Sequence, residues 1–358
     1  MPACLFDRCV TRKFGKMSPV CELVSAVNSQ MSRKMVLIAC ARSTHWYTTD
    51  QRPMKKTIVV AGGTGNLGQR IVSALLEKGA DVRVIVRSGT DVDKVKRLTN
   101  SGATVFRIDQ SNVTEVSSAC VGASCVVSAL AGLHDVIIDT QKVLLDAAVM
   151  AGAPRFIPSD FSLDFTSLDV GKNRNLDLRR AFHHYVDASP IAATTIFNGP
   201  FMDLLTDQMP MILFGPKRIL YWGNADQRID FTTMDDTAAF TANVALDDNA
   251  PRFLRIAGDR ISPRQLATVT SEVTGTKFQL LRAGGLGLLN LIINVARTVA
   301  PGKNDLYPAW QGMQYMRDMM EGRAENDLHN NDRYPGMQWT TVKDFLSAHQ
   351  ATNGAVSN

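Results

Sequence analysis

The clearest hydrophobic pattern in the chain runs from Lys56 to Ser88, KTIVVAGGTGNLGQRIVSALLEKGADVRVIVRS. An apolar run (Thr57 to Ala61) gives way to a glycine-rich turn. An amphipathic segment follows (Gln69 to Lys78), stopped by Gly79, and then a β-branched run (Val82 to Val86). Short apolar runs bounded by turn residues predict buried strands, and the 3.6-residue period between them predicts a helix. The alternation then continues. Asp91 to Thr99 reads as a charged helix, Thr104 to Ile108 as a strand ending at Asp109, and Val113 to Ala119 as a short helix. Ser124 to Leu130 is a buried strand running into Ala131-Gly132, and Asp135 to Met150 a long amphipathic helix closed by Gly152 and Pro154. The strand Arg155 to Ser159, a helix from about Asn175 to Ala188, and the strand Ile191 to Phe197 complete the series.

Strands alternating with helices of roughly 10 to 15 residues predict a parallel sheet with right-handed crossovers, hence an α/β, Rossmann-type doubly wound fold. Ligands in such sheets lie outside the carboxyl ends of the strands. The Gly62 turn, Arg87, Asp109, Ala129 to Gly132, Ser159-Asp160 and Asn198-Gly199 are therefore expected to face one crevice. Beyond Gly199 the alternation weakens. Ile219 to Trp222 and Arg228 to Thr232 predict a hairpin about Gly223 to Asp226, and Asp235 or Asp236 a cap for a helix ending near Asp247. Ser262-Pro263 predicts a helix start after the strand Phe253 to Ala257. The helix-rich remainder predicts a smaller C-terminal substrate lobe, about residues 200–350, covering the crevice rather than folding separately, with 351–358 as a tail.

The turn after the first strand carries Gly62, Gly65 and Gly68 at three-residue intervals, with Gly63, Thr64, Asn66 and Leu67 between them. Gly62 lets the chain leave the strand sharply, Gly65 lets a pyrophosphate approach bare backbone, and Gly68 lets the helix pack closely on the sheet. Unpaired amides at the helix N-terminus then favour the phosphates. The strand-turn-helix setting is what makes this spacing a dinucleotide signal. The second strand ends in Arg87-Ser88, with no carboxylate until Asp91. A basic residue there accommodates the 2′-phosphate of NADP(H), whereas an acidic one would select NAD.

At 45% hydrophobic and 20% charged residues, the 358-residue chain has the composition of an ordinary soluble protein. Its net charge of +5 resides in residues 1–53, which hold eight Lys/Arg and three acids, leaving 31 of each sign behind them. No basic patch predicts a nucleic-acid partner. Residues 1–53 read as an N-terminal extension, either without a fold of its own or as an organellar transit peptide. The functional chain would then start near Met54 and be cytoplasmic, or organellar in the second case. Cys120 and Cys125 read as small buried hydrophobes. Leu286 to Ala300 is interrupted by Asn290, Asn294 and Arg297. It predicts a core-facing or lid helix, and no membrane span is expected.

The glycine turn, the V-R-S end of the second strand and the stretch Arg155-Phe156-Ile157-Pro158-Ser159-Asp160-Phe161 together resemble the NmrA-like and isoflavone-reductase-like group of atypical short-chain dehydrogenases. The similarity covers roughly Lys56 to Gln350. It implies an NADP(H)-binding Rossmann domain with a small substrate lobe. The group holds both reductases of aromatic and quinone substrates and regulators that bind the dinucleotide and report redox state.

Hydride transfer needs a proton donor at the substrate. The Tyr with Lys four residues on, used by short-chain dehydrogenases, is absent, since Ser189 follows Tyr185 at that spacing; Tyr185 is expected to pack on its helix face. The reductases that the chain resembles use a lysine ahead of an Arg-Arg pair. Aligning that pair with Arg179-Arg180 places Asn175 at the lysine position, with Lys172 three residues earlier. The candidate catalytic residues are thus Lys172, Asp160 and Asn175. Asp160 is read as a proton relay or a cap, and Lys172 as an acid or a solvated loop residue. Cofactor contacts are expected from Gly62, Gly63, Thr64, Gly65, Asn66, Leu67, Gly68, Arg87, Ser88, Asp109, Ala129, Leu130, Ala131 and Ser159, with Asn198, Phe201 and Tyr221 toward the substrate. His183-His184 lack ligand partners at metal spacing, so no metal is expected. Two readings stay open. One is an NADPH-dependent oxidoreductase acting on a small apolar quinone, enone or aromatic carbonyl; the other is a non-catalytic NADP(H) sensor with a protein partner.

Overall fold

The computed structural model describes residues 55–324 and 329–356, so the expectations for residues 1–53 lie outside the described residues. Six parallel strands form the main sheet in the order β3-β2-β1-β4-β5-β6. They are β1 (Thr57–Ala61), β2 (Asp81–Arg87), β3 (Thr104–Ile108), β4 (Cys125–Ser128), β5 (Arg155–Ile157) and β6 (Ala192–Ala193). This order, reversing direction beside β1, is that of the doubly wound dinucleotide folds. Alternation within β1 sorts the two faces. Ile58 and Val60 enter one core with Ile71, Val72 and Leu75 of helix α1 (Asn66–Glu77) and Leu98 of α2 (Val92–Asn100). Val59 and Ala61 enter the other with residues of α3 (Val113–Cys120), α4 (Gln141–Met150) and α5 (Arg174–Ala188). Each of these fully buried aliphatic side chains contributes roughly 1.5–3 kcal/mol. Cys120 and Cys125 sit within these cores as buried free thiols.

Four local expectations are corrected. The long helix begins with a π-helical stretch, Asp135–Thr140, before α4. The strand from Ile191 to Phe197 is broken: Ala192–Ala193 stays in the main sheet, while β7 (Thr195–Phe197) pairs in parallel with β11 (Phe253–Arg255). β9 (Arg218–Trp222) and β10 (Ile229–Phe231) both form but make no hairpin. β9 takes β13 (Gln279–Gly284) and β8 (Ile212–Leu213) as neighbours, and β10 takes β12 (Asp259–Ile261). Alternation marks a strand but not its partner, and here the non-local pairings prevailed. Helix α6 (Met234–Ala245) is capped by Thr233, whose hydroxyl accepts from the Asp236 amide, so Asp235 and Asp236 occupy the first turn instead.

The chain returns to the sheet after β7. α6 lays Ala238, Phe240, Ala242 and Val244 into the same core as Ile58 and Ile71. Arg155 of β5, 6% exposed, donates to the carbonyls of Asp248 and Ala250 and to Thr194 Oγ1, tying the end of this helix to the sheet. The lobe has its own core around Phe165, Phe197, Phe231 and Ile219. It draws on α7 (Pro263–Thr274), α8 (Leu286–Val299), α9 (Ala309–Glu321) and α10 (Val342–Val356). α7 starts with the expected Ser262-Pro263, completed by Gln265 into a capping box. α8 buries only Leu289 and Ile293. No helix among the described residues is long and apolar enough to cross a membrane.

Candidate active-site crevice

Gly62 leaves β1 at φ +82°, and a Cβ there would lie 2.4 Å from the Ala129 carbonyl oxygen. A Cβ on Gly68 would lie 2.1 Å from the Gly62 carbonyl oxygen. Both positions require a bare backbone. Gly65 differs: its one close neighbour would be Gly62 O at 3.3 Å, and the residue faces solvent beside exposed Asn66. The first turn of α1 has neither a side-chain cap nor an acidic residue. Its amides and dipole are therefore available to an anion. Gly63 is buried against Val84, Leu67 packs on the core, and the Thr64 carbonyl accepts from Gln69.

Arg87 and Ser88 are exposed at the end of β2. Asp91, the first carboxylate after them, is spent as a helix cap, accepting from the amides of Asp93 at 3.0 Å and Lys94 at 3.1 Å. Asp109 accepts from the Ser111 amide at 2.9 Å and hydroxyl at 2.7 Å, and these bonds hold its carboxyl below the usual range.

The β4 exit is joined to the loop after β5. Ser159 Oγ donates to the Leu130 carbonyl at 2.6 Å, and the Ser159 amide donates to Gln141 Oε1 at 2.9 Å. Gln141, fully buried at the junction of the π-helical stretch with α4, returns its amide to Ile137 O. It is a positioning residue that the hydrophobic pattern missed; the signal was a lone amide inside an otherwise apolar helix face. Ala129 and Leu130 are partly buried and Ala131 is exposed.

Asp160 is placed differently from a crevice-facing group. It is 0% exposed, and its Oδ2 lies 2.7 Å from both His183 Nε2 and Thr195 Oγ1. Arg252 donates in turn to Thr195 Oγ1 and pairs with Asp187. His183 and Thr195 are partners that spacing along the chain did not reveal. Lys172 is exposed and its carbonyl accepts from Arg317. Asn175, 1% exposed, accepts from Arg174 Nε and donates to the Leu306 carbonyl. Burial pushes the phenol of Tyr315, on α9, up to about 12. Tyr185 packs on its helix face as expected, its ring centroid 6.3 Å from that of Phe182 one turn earlier, with the Lys142 ammonium 5.8 Å from its centroid.

Asn198 is fully buried; its amide donates to the Ser162 carbonyl, and its side-chain Oδ1 has no protein partner. Phe201 packs with the sheet core and Tyr221 with the lobe core, so the structure assigns these two aromatics to different clusters. Among the described residues no group of three His, Cys, Asp or Glu side chains could hold a metal ion.

The sheet order and the turns at the carboxyl ends of its strands define a Rossmann-type doubly wound architecture with a helix-rich lobe. The NmrA-like family model matches residues 54–332, and the chain belongs to that family. It is similar to the bifunctional pinoresinol-lariciresinol reductase 1 of Linum usitatissimum, 27% identical over 309 residues, covering 81% of this chain and 97% of the relative. It is likewise 27% identical to an isoflavone reductase homolog of Zea mays over 313 residues, covering 82% and 98%. Among solved structures, the leucoanthocyanidin reductase–NADPH complex from Vitis vinifera superposes with a TM-score of 0.69 at 19% identity, covering 82% and 99%. An isoflavone reductase structure also gives 0.69, at 16% identity.

Proposed function

We propose that the protein is an NADPH-dependent oxidoreductase that reduces a small aromatic, quinone or enone substrate. The observation that carries this reading is the uncapped, acid-free N-terminus of α1 behind a turn in which side chains are excluded at Gly62 and Gly68. Those residues fit a pyrophosphate. Exposed Arg87 would hold the 2′-phosphate, since Asp91 is committed to its helix. The relatives named as reductases, and the neighbour solved with NADPH, support the same reading.

When bound, NADPH supplies a hydride from the nicotinamide. In this reading Ser159 and Gln141 fix the Ala129–Leu130–Ala131 backbone that the nicotinamide rests against, and Ser88 and Asp109 border the adenosine side. Asn198 and Phe201 lie toward the substrate, with Tyr221 in the lobe. Asp160 acts by position, holding the loop after β5 to α5 through His183. The functional unit is residues 54–350, with the lobe at about 200–350.

The sensor reading has one observation in its favour: Asp160 is buried against His183 and Thr195, and Asn175 is an amide held by Arg174 and the Leu306 carbonyl, so neither presents an acid to the crevice. Single-turnover NADPH oxidation with a panel of quinones, enones and aromatic aldehydes, beside calorimetric titration of NADPH, separates the two. Tight binding with turnover of any panel member supports the reductase. Tight binding with no turnover selects the sensor and a protein partner; absent binding refutes both.

A further inference from the structure

An imidazole and a carboxylate meet at the exit of β4. His134 Nδ1 lies 3.3 Å from Asp139 Oδ2, on side chains 68% and 66% exposed. The two residues are five apart, whereas an α-helix aligns residues three and four apart. The π-helical stretch Asp135–Thr140 closes from i to i+5 instead, and so brings the pair together. In that pattern the Gln141 amide donates to the Val136 carbonyl, and Thr140 Oγ1 donates to the Asp135 carbonyl. The same stretch is fastened to the strand ends. The Ala129 amide donates to the Ala61 carbonyl, the Leu130 carbonyl accepts from Ser159, and Gln141, where the stretch ends, holds the Ser159 amide. A Cβ on Gly132 would lie 2.4 Å from Val136 Cβ, so the chain folds back on the π turn soon after leaving the strand. His134 stands three residues past Ala131, at most about 11 Å from it along the chain, at the carboxyl edge of the sheet.

We propose that His134 is the proton donor of the reduction and Asp139 the positioning residue that orients it. The inference rests on the reductase reading above. As hydride reaches the substrate carbon, the carbonyl π pair moves to oxygen. The Nε2–H bond of the His134 imidazolium breaks, and its proton forms the new O–H bond. The imidazole is left neutral and regains a proton from water, to which its exposure gives access. In this role Asp139 accepts from Nδ1–H, which fixes the ring and leaves Nε2 as the atom presented. The carboxylate charge also favours the imidazolium. A separation of 3.3 Å is long for such a bond, as catalytic hydrogen bonds commonly are before substrate binds.

The test uses the full chain with NADPH and whichever panel member it reduces. His134→Ala is expected to lower kcat by about 10²-fold, the lower range for general-acid catalysis, with NADPH affinity and melting temperature unchanged. Added imidazole should restore turnover in proportion to its concentration. Asp139→Asn should lower kcat by about 2- to 5-fold, the scale of an exposed ion pair, with KM unchanged, and Asp139→Glu should recover it. A readout apart from turnover is peptide-resolved carbethoxylation of histidines. NADPH with the product alcohol should protect His134, while exposed His184 on α5 stays reactive. This labelling needs no variant, so it decides even if His134→Ala does not fold. In an active wild type, undiminished kcat in His134→Ala, a loss that imidazole does not relieve, or equal labelling of His134 in the free and loaded chain overturns the proposal and leaves the reductase reading standing. Wild-type kcat in Asp139→Asn removes the positioning role. A wild type that binds NADPH without turnover removes both the donor and the reductase.

Discussion

The three glycines of the first turn make different demands, and alanine substitution separates them. Gly62→Ala puts a side chain at φ +82°, which costs about 1–2 kcal/mol. It also drives a Cβ to 2.4 Å from Ala129 O and 2.6 Å from Ala129 C. Both neighbours are backbone, so β4 or the turn must move, adding about 1–3 kcal/mol. The expected loss of about 2–5 kcal/mol is a large fraction of a typical domain's stability. Gly68→Ala would gain about 1 kcal/mol of helix propensity. Against this stands a Cβ at 2.1 Å from Gly62 O and 2.8 Å from Gly62 C. Gly65→Ala meets only Gly62 O, at a tight 3.3 Å, on an extended backbone that any residue adopts, so it should cost about 1 kcal/mol, the size of a changed N-cap and well below Gly62→Ala. Its methyl group would stand where the pyrophosphate approaches, so NADPH affinity should fall at least about tenfold, or 1.4 kcal/mol. Urea unfolding and calorimetry on the three variants read the two effects apart. Wild-type stability in Gly62→Ala, or wild-type NADPH affinity in Gly65→Ala, would refute the reasoning.

Three further outcomes are expected. Arg87→Glu should weaken NADPH binding by roughly 10- to 100-fold, the scale of a charge-assisted bond, while sparing NADH; equal loss of both by calorimetry would remove the 2′-phosphate role. A chain beginning at Met54 should melt and bind NADPH as the full chain does, and failure to fold would show that residues 1–53 are structural. Burial raises the thiol of Cys120 to about 11 and of Cys125 to about 12, from an ordinary 9.0. The folded state therefore holds these protons more tightly than the unfolded one. Their contribution is constant below about pH 9 and makes stability decline as pH rises from there toward 12. Peptide-resolved alkylation at pH 8 should leave both unlabelled until urea opens the fold.

What could be read from the chain followed the range of the interactions. The unit from Thr57 to Arg87 is local: its period, its glycines and its exposed arginine were all legible, and α1 differs mainly in starting at Asn66, earlier than its apolar face. Pairing was not legible. β9 and β10 are near in sequence, yet each found a distant partner, because alternation specifies a face and not a neighbour. The polar groups behind the crevice were hidden for the same reason. Asp160 and His183 are 23 residues apart, and Asn173 and Asp318 are 145 apart. Gln141, by contrast, left a trace as an amide on an apolar face.

The course of α6 bears on how this protein can be divided or recombined. The helix belongs by position to the later part of the chain, yet Phe240 and Val244 complete the core beneath Ile58 and Ile71, and Lys56 reaches across to the Leu246 carbonyl and Asp248. A cut near residue 200 would leave the first half with an open apolar flank. Exchanging the remainder for that of a relative would transplant a wall of the sheet along with any substrate preference. Chimeras meant to alter specificity should accordingly keep residues 234–250 with the N-terminal half and exchange only the segments on either side.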